Sequence, residues 1–484
     1  MNVQLIIVIC YFALTIFIGV RAMKKTQSAD SFHGSQLGLV AIVAASTGEW
    51  LGGSSTTGVS EYGFNFGISG WWYTIANGLG VCVLAIFFAK LYRSLDTVTV
   101  PGIIEHFIGL DARVVSSVLL TLAVGAVGIS QMVAAGTIGV GLLGIPFSIS
   151  VAIMGVGFIV YTLAGGMNAV THTNTMHLIA MYGGVVLAFI VIGPKVGWFG
   201  GMAATLPDGY FSPLGMGFPK VSSWIVASIL GGCVAQAGIQ PVLAASDIHT
   251  ARKAAFITAA IVAPFGFFTV FMGMAAKVLA LGGGVDGFGA GTAIIGLEDG
   301  KMALPTLLML VNPVVGGIVI SSIFAAILST VSPIILACGT MITKDLYQRK
   351  FHPDAPDSKI LKISRVSTGI VGVICTVGAM ALYDSSAVLD LVYSAYSLRG
   401  AIFVTLLYAI YYKGGKMVSN KAACVAMILT GITSVSWVVV KMTTGQFPIS
   451  KYFTDTYAGI LAAAIFTFIF MLVFPKKKDG EMIK

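Results

Sequence analysis

The stretch AAILSTVSPIILACGTMITKDLY, residues 325–347, is apolar enough to lie in lipid, yet its middle carries a cluster of hydroxyl side chains. Ser329, Thr330 and Ser332 fall within four residues, and Pro333 follows directly. Hydroxyls in a helix commonly bond back to carbonyl oxygens of their own turn. They can also serve a buried cation, because a charge taken out of water is costly unless other oxygens replace its hydration shell. The cluster alone is compatible with both interpretations.

Composition indicates that this stretch belongs to a membrane protein. Of 484 residues, 57% are hydrophobic and 10% are charged, and the mean hydropathy is +0.94. A soluble protein carries about 25% charged residues, so soluble classes are excluded. We predict an all-α integral membrane protein with a single transmembrane domain over 1–484. About 20 apolar residues cross a bilayer core, and thirteen such runs predict spans near 3–20, 38–58, 67–89, 114–141, 147–165, 175–194, 222–245, 254–281, 305–343, 363–383, 387–412, 422–441 and 457–475.

The basic residues predict how the chain is oriented. Thirteen spans place the two termini on opposite sides of the membrane. With the N-terminus outside, the inner loops hold 21 Lys and Arg residues and the outer loops hold 6. Because basic residues accumulate on the cytoplasmic side, we predict a multi-pass protein of the plasma or inner membrane with a cytoplasmic C-terminus. The net charge of +9 then reflects orientation and not nucleic-acid binding.

Two predicted spans contain sequences that break helices. These are STGEWLGGSSTTG (46–58) and GGCVAQAGIQP (231–241), which mix glycines with hydroxyls or a proline. The second and seventh spans differ by five, so they run in opposite directions. Paired broken helices in inverted halves are typical of the binding sites of secondary transporters. The alternative is that the glycines let helices approach one another closely.

Three motifs give the chain a resemblance to a known family. The 325–347 stretch resembles a long helix ending in (T/S)-x-D-(L/I)-Y, YTLAGGMNAV (161–170) resembles a YT-x-x-GG-x-x-AV turn, and VLAASDIHTARKAA (242–255) is similar to an LAA-x-(D/S) loop. All are features of the sodium:solute symporter family. The resemblance implies an inverted five-plus-five helix repeat with two broken helices. Core repeat 1 would cover about 37–195 and core repeat 2 about 222–412, flanked by helices 3–20, 422–441 and 457–475.

The resemblance also implies a sodium site between the long helix and the first broken helix. On the long helix its ligands would be the Ala326 carbonyl and the hydroxyls of Ser329 and Thr330. On the broken helix they would be the carbonyls of Ile42 and Ala45. If the alignment with the family motif is shifted by one residue, they would be those of Val43 and Ser46.

Some members of the family have a second sodium site, and two of its parts are replaced here. Pro333 stands where a hydroxyl is needed, and Asn174 stands in place of an aspartate. Without that carboxylate a second cation lacks its charge partner. We therefore expect one sodium ion per cycle.

Two charges remain inside predicted spans, Glu49 and Arg399. A charge at membrane depth is costly and is a functional candidate by default. Arg399 could bind a substrate carboxylate and Glu49 a cationic group; alternatively the two form a structural ion pair, or Arg399 reaches toward the membrane surface. Gln236 and Gln240 are further substrate-binding candidates, as is Trp71, which an aromatic belt at the membrane surface explains equally well.

These observations predict a secondary active symporter that couples inward sodium flow to uptake of a small polar solute by alternating access. The charged pair favours a carboxylate or an amino acid as solute. The expected partners are the solute, sodium and the lipid bilayer, while the sequence says nothing of oligomeric state. Proton coupling through Glu49 is the alternative. A transporter-like sensor is disfavoured by the few residues after the last span, and an enzyme by the lack of a catalytic motif.

Overall fold

The computed structural model describes residues 3–23, 38–95, 97–284, 294–384, 388–412 and 417–476, without the side chains of 19, 20, 22, 23 and 164–172. Within these ranges the fold is all-helical, with one isolated β-bridge between Val418 and Pro475. The α-helices are α1 Val3–Met23, α2 Leu39–Trp50, α3 Val59–Phe66, α4 Trp72–Val83, α5 Ala89–Arg93, α6 Val100–Phe107, α7 Leu110–Leu143, α8 Phe147–Ile192, α9 Trp198–Thr205, α10 Phe218–Gly232, α11 Gln236–Leu243, α12 Ile248–Ala280, α13 Ala303–Leu310, α14 Pro313–Thr340, α15 Asp357–Leu382, α16 Val388–Tyr411, α17 Asn420–Thr444 and α18 Asp455–Val473.

Short 3-10 and π-helical segments extend several of these helices. Three are 3-10 turns, at Gly67–Trp71, Gly193–Val196 and Gly300–Met302. Three are π-helical, at Ser54–Gly58, Leu84–Phe88 and Met341–Phe351. In the described part of the chain, ten helical segments are long and apolar enough to cross a membrane. Each of the thirteen predicted spans overlaps a helix, which confirms the fold class, while the number of crossings stays a prediction.

Helix α8 contains two of the predicted spans, 147–165 and 175–194. Neighbouring residues of α1 contact both halves: Phe12 stacks with Phe158, and the Tyr11 hydroxyl lies 2.5 Å from Nδ1 of His177. The Tyr161 hydroxyl also contacts the Thr173 hydroxyl, although a straight helix would separate these two positions by about 18 Å, so α8 is not straight between its two halves. Most of the motif at 161–170 falls on residues whose side chains lie outside the described part.

Two helices are broken, as the sequence predicts. The first runs as α2 to Trp50, bends at Leu51 and Gly52, and continues through the π-helical turn into α3. The second ends as α10 at Gly232 and resumes as α11 at Gln236. Residues 42–48, which include the predicted ligands Ile42 and Ala45, lie in the regular part of α2, and the break comes after them.

Helix α14, which carries the hydroxyl cluster, lies at the centre of the bundle. All of its residues from Val319 to Thr340 are buried. The predicted run 305–343 is not one continuous helix, because α13 ends at Leu310 and α14 begins at Pro313. Asn312 caps the new helix by accepting a hydrogen bond from the Val314 amide at 3.0 Å. The central position of α14 puts its hydroxyls against the first broken helix.

The loop between the second broken helix and α12 ends in a well-formed helix cap. Asp247 accepts hydrogen bonds from the Thr250 amide at 2.9 Å and from the Thr250 hydroxyl at 2.6 Å. These bonds favour the charged carboxylate and lower the pKa of Asp247 to about 2. The aspartate of the 242–255 motif therefore has a local structural role, since it starts helix α12.

Candidate functional site

Four oxygens from α14 and the first broken helix converge beside the break. The Ser329 hydroxyl donates to the Ala326 carbonyl at 2.8 Å, and the Thr330 hydroxyl donates to the same oxygen at 3.1 Å. Both hydroxyls also approach the Gly48 carbonyl, Ser329 at 3.5 Å and Thr330 more closely. All four residues are buried. This oxygen cluster, made by Gly48, Ala326, Ser329 and Thr330, is the kind of donor set that a sodium ion requires.

The carbonyls of Ile42 and Ala45 lie earlier on the broken helix. Both residues are buried within α2, where a carbonyl accepts a bond from the amide four residues ahead. The last such bond around the break runs from the Leu51 amide to the Thr47 carbonyl at 3.0 Å. The Gly48 carbonyl is therefore the first one past the regular helix, and it is the one that faces α14. The role of Ile42 and Ala45 stays a prediction.

Gly52 and Gln131 explain why the chain breaks where it does. A Cβ atom at Gly52 would overlap the Thr330 hydroxyl and the Gln131 side-chain oxygen, so only glycine fits. That Gln131 oxygen accepts from the Gly53 amide at 2.6 Å, and the Gln131 amide donates to Ser54 at 2.6 Å. Gln131 thus satisfies backbone and side-chain groups that the break leaves without helix partners. Sequence analysis missed it, although a lone glutamine in an apolar helix was a usable signal.

Asn174 and Pro333 lie next to the oxygen cluster. A Cβ atom at Gly48 would lie 2.7 Å from the Asn174 amide nitrogen and 3.0 Å from the Ser329 carbonyl oxygen. Pro333 has no N–H, so it cannot bond to the carbonyl four residues earlier, that of Ser329. The Asn174 nitrogen is buried and has no hydrogen-bond partner. A neutral amide therefore stands beside the cluster.

Glu49 and Arg399 lie close together, next to the same break, in a cluster with Trp50 and Tyr396. Glu49 is 5% exposed and Arg399 is 1% exposed, and the two interact electrostatically. The Arg399 guanidinium carbon lies 4.4 Å from the centre of the Tyr396 ring, which in turn contacts Trp50 edge to face at 6.2 Å. We call these four residues the central cluster.

Most charged atoms of the central cluster lack hydrogen-bond partners. None of the three Arg399 guanidinium nitrogens has a hydrogen-bond partner, and neither has the Glu49 Oε2 atom. Both side chains belong to the part of the chain that the structure describes, and no nitrogen of the guanidinium lies within 4.0 Å of a Glu49 carboxylate oxygen. The direct ion pair that the sequence left open is therefore not formed. Buried charged groups without partners are costly, so this arrangement favours a ligand between them.

The other substrate-binding candidates are placed differently. The Trp71 indole donates to the Ala263 carbonyl at 2.9 Å, which holds it against α12. The Gln236 oxygen accepts from the Val100 amide at 2.7 Å, and its amide donates to the Val98 carbonyl at 3.1 Å. Gln240 lies one turn further along α11, 3.4 Å from Gln236. These contacts give Trp71 and Gln236 structural partners, and their substrate role stays a prediction.

A charged network that was not predicted from the sequence joins the segment after α14 to the second broken helix. Arg113 bonds to Asp345 at 2.5 Å and to Glu105 at 2.5 Å, and Arg349 bonds to Glu105 at 2.7 Å. The Thr99 hydroxyl donates to Asp345 at 2.7 Å. Its two neighbours in the chain, Val98 and Val100, form the hydrogen bonds to Gln236. Although partial burial opposes it, the two arginines lower the pKa of Glu105. The network ties the π-helical turn after α14 to α11.

The comparison with protein families agrees with this geometry. The model of the sodium:solute symporter family matches residues 32–431. The chain belongs to this family. The symporter is therefore a multi-pass membrane transporter and not an enzyme, as the sequence predicts.

Several known transporters are similar to this symporter over most of its length. It is 25% identical over 493 residues to the osmoregulated proline transporter OpuE of Bacillus subtilis, covering 96% of this chain and 95% of that protein. It is 27% identical over 461 residues to the high affinity choline transporter 1 of Homo sapiens, covering 88% and 75%. These relatives differ in solute, so they do not name the one carried here.

Solved structures share the fold of this symporter. A Na+-coupled sialic acid symporter, in a substrate-bound outward-open state, superposes with a TM-score of 0.80 at 19% identity, covering 99% of both chains. A nucleobase-cation-symport-1 family transporter in a closed conformation gives a TM-score of 0.59 at 14% identity, covering 93% of this chain and 95% of that one. The fold of this symporter is therefore shared with these two transporters.

Proposed function

We propose that this protein couples the inward flow of sodium to the uptake of a small solute that carries a carboxylate. The observation that carries the proposal is the central cluster, where a buried guanidinium and a buried carboxylate lie near each other without bonding. A zwitterion such as an amino acid would satisfy both, its carboxylate on Arg399 and its cationic group on Glu49. A planar guanidinium suits a carboxylate because it can donate two parallel hydrogen bonds.

The oxygen cluster supports sodium as the coupling ion. Its donors are two hydroxyls and two carbonyls, neutral oxygens that suit a monovalent cation with no preference for nitrogen or sulfur. In the described residues, no group of three or more His, Cys, Asp or Glu side chains could hold a transition metal. We propose that the Ala326 carbonyl and the hydroxyls of Ser329 and Thr330 bind the ion, with the carbonyls of α2 completing the shell.

The driving force follows from the membrane potential. Moving one sodium charge inward gains about 2.3 kcal/mol per 100 mV, in addition to the concentration gradient of the ion. The orientation expected from the basic residues, with a cytoplasmic C-terminus in the plasma or inner membrane, makes that flow an uptake. Alternating access would then expose the central cluster first to one side and then to the other.

Proton coupling through Glu49 is the second candidate function. Its support is that the Glu49 Oε2 atom is buried without a partner, so the carboxyl could hold a proton instead. Under this alternative a pH gradient would replace the sodium gradient. The oxygen cluster favours sodium, because its hydroxyl and carbonyl oxygens can bind a cation but cannot carry a proton at physiological pH.

Uptake by reconstituted protein tests the proposal. We expect proteoliposomes with an inward sodium gradient to accumulate L-proline or sialic acid, and choline, which has no carboxylate, to accumulate far less. Potassium in place of sodium should abolish uptake. Accumulation driven equally well by a proton gradient without sodium would contradict sodium coupling, and preferential uptake of choline or of a neutral sugar would contradict the carboxylate.

We further expect one sodium ion to enter per solute. Asn174 puts an uncharged amide beside the oxygen cluster, and Pro333 removes a possible hydroxyl ligand, so a second cation lacks both charge and donors. Reversal potentials measured in the same proteoliposomes with zwitterionic L-proline give the stoichiometry directly. A value of two would show that a second site is built from other residues.

A further inference from the structure

A cavity of about 400 Å³ lies near the start of α16, away from the central cluster. Helices α10, α16 and α17 and the loop 445–454 form its walls. We call it the lysine-lined cavity, after the charged and aromatic side chains that define it: Lys220, Trp224, Asp390, Tyr393, Lys441 and Lys451. Its volume is in the range of small-molecule sites, about 300–1,000 Å³.

The charges of this cavity are arranged to receive an anion. Lys220 lies 3.1 Å from one carboxylate oxygen of Asp390, and Lys441 lies 3.2 Å from the other. The Tyr62 hydroxyl also donates to Asp390 at 2.6 Å. Each ammonium group has three donors; Lys220 also donates to the Tyr62 hydroxyl, so both lysines still keep a donor for another acceptor. Asp390 thus fixes the positions of two cations without exhausting them.

The balance of charge supports the same conclusion. Three lysines and two aspartates, Asp390 and Asp455, line the cavity. Asp455 accepts a hydrogen bond from the Ser397 hydroxyl at 2.8 Å, which occupies one of its oxygens. Lys451 lies exposed at the rim. The net charge of these side chains is positive, and a concave surface with net positive charge raises the local concentration of anions.

An aromatic floor connects this cavity to the central cluster. Trp224 and Tyr393 stack in parallel at 4.3 Å between ring centres, and both line the cavity. Beneath them, Tyr393 contacts Tyr396 at 5.5 Å, and Tyr396 carries the Arg399 guanidinium on its ring face. Along α16, Asp390 and Arg399 are nine residues or about 14 Å apart. Helix α16 therefore carries Asp390 on the cavity side of the aromatic floor and Arg399 on the side of the central cluster.

We propose that the lysine-lined cavity is a second solute site, which holds a carboxylate-bearing solute before it passes the Trp224–Tyr393 floor to reach Arg399. The inference rests on the proposed function, since it assumes that the solute carries a carboxylate. The lysines supply the charge, and the stacked rings supply an apolar surface for the rest of the molecule.

Cysteine protection tests this site without relying on transport. Ser394 lines the cavity and is partly exposed, so Ser394→Cys can react with a water-soluble thiol reagent after Cys10→Ser, Cys82→Ser and Cys424→Ser remove the cysteines that are not buried. The labelled variant also carries Arg399→Lys, which weakens solute binding at the central cluster. We expect L-proline or sialic acid to slow labelling several-fold, and choline to have no effect.

Lysine variants identify the source of the protection. Lys451→Gln and Lys441→Gln should abolish it, while Lys195→Gln, an exposed lysine outside the cavity, should leave it intact. Labelling that neither carboxylate slows, or that chloride alone slows equally, would overturn the second site. Because labelling requires no sodium gradient, protection without sodium-driven uptake would reject the proposed function instead.

Discussion

Thr330→Ala should remove most of the stabilisation that we expect sodium to give to the purified protein, and Ser329→Ala should do the same. Each change deletes one oxygen from the cluster formed with Ala326 and Gly48, in a fully buried place where water cannot easily replace it. We expect the dissociation constant of sodium to rise about tenfold for each single variant, which corresponds to about 1.4 kcal/mol. Because a ligand stabilises the native state by RT ln(1 + [L]/Kd), melting temperatures over a sodium titration measure this loss.

A matched control comes from the same helix. Ser321 is buried on α14 and donates to the Gly317 carbonyl at 2.8 Å, two turns before the cluster. Ser321→Ala removes the same group from the same helix, so it should lower the melting temperature slightly and leave the sodium dependence unchanged. If the double variant of Ser329 and Thr330 keeps the full response to sodium, the ion binds elsewhere.

Arg399→Lys should weaken solute binding by about tenfold or more, although the charge is kept. Lysine cannot reproduce the two parallel hydrogen bonds of a guanidinium to a carboxylate. Arg399→Ala should cost about a hundredfold or more, because the solute carboxylate would then be buried without a partner. Binding of labelled L-proline or sialic acid at saturating sodium gives both values.

The sodium response separates substrate binding from a structural role. Without solute, sodium should stabilise the Arg399→Lys variant as it does the native protein, since Arg399 contributes nothing to the oxygen cluster. Arg252→Lys, on the exposed first turn of α12, is the matched control and should change neither property. Unaltered solute affinity in Arg399→Lys, together with loss of sodium binding in Arg399→Ala, would mean that Arg399 only supports the fold.

Much of the architecture was visible in the sequence because the bilayer restricts what a chain can do. Long apolar runs predicted the helices, and glycines mixed with hydroxyls or with a proline predicted the two breaks. Irregular backbone is tolerated at membrane depth only where protein or a polar cavity surrounds it. The hydroxyls of Ser329 and Thr330 were predicted to face the first break, and the structure brings both to Gly48.

The position of each break could not be read from the sequence. Glycines 48, 52 and 53 are equally able to end α2, and the choice falls on Gly52 because Thr330 and Gln131 press against it. Both neighbours are distant in sequence. The same holds for Lys220, Asp390 and Lys441, which meet only because α10, α16 and α17 come together. Such groupings depend on tertiary contacts that no local pattern encodes.

The break at Leu51 and Gly52 has a thermodynamic consequence. Gly48 offers its carbonyl to the oxygen cluster, while its sequence neighbours Glu49 and Trp50 belong to the central cluster. A single turn of helix thus borders both sites, so a ligand that orders this turn prepares it for the other ligand. Linkage requires the effect to be reciprocal: the factor by which sodium tightens solute binding equals the factor by which solute tightens sodium binding. The cooperativity of the symporter can therefore be measured from either ligand.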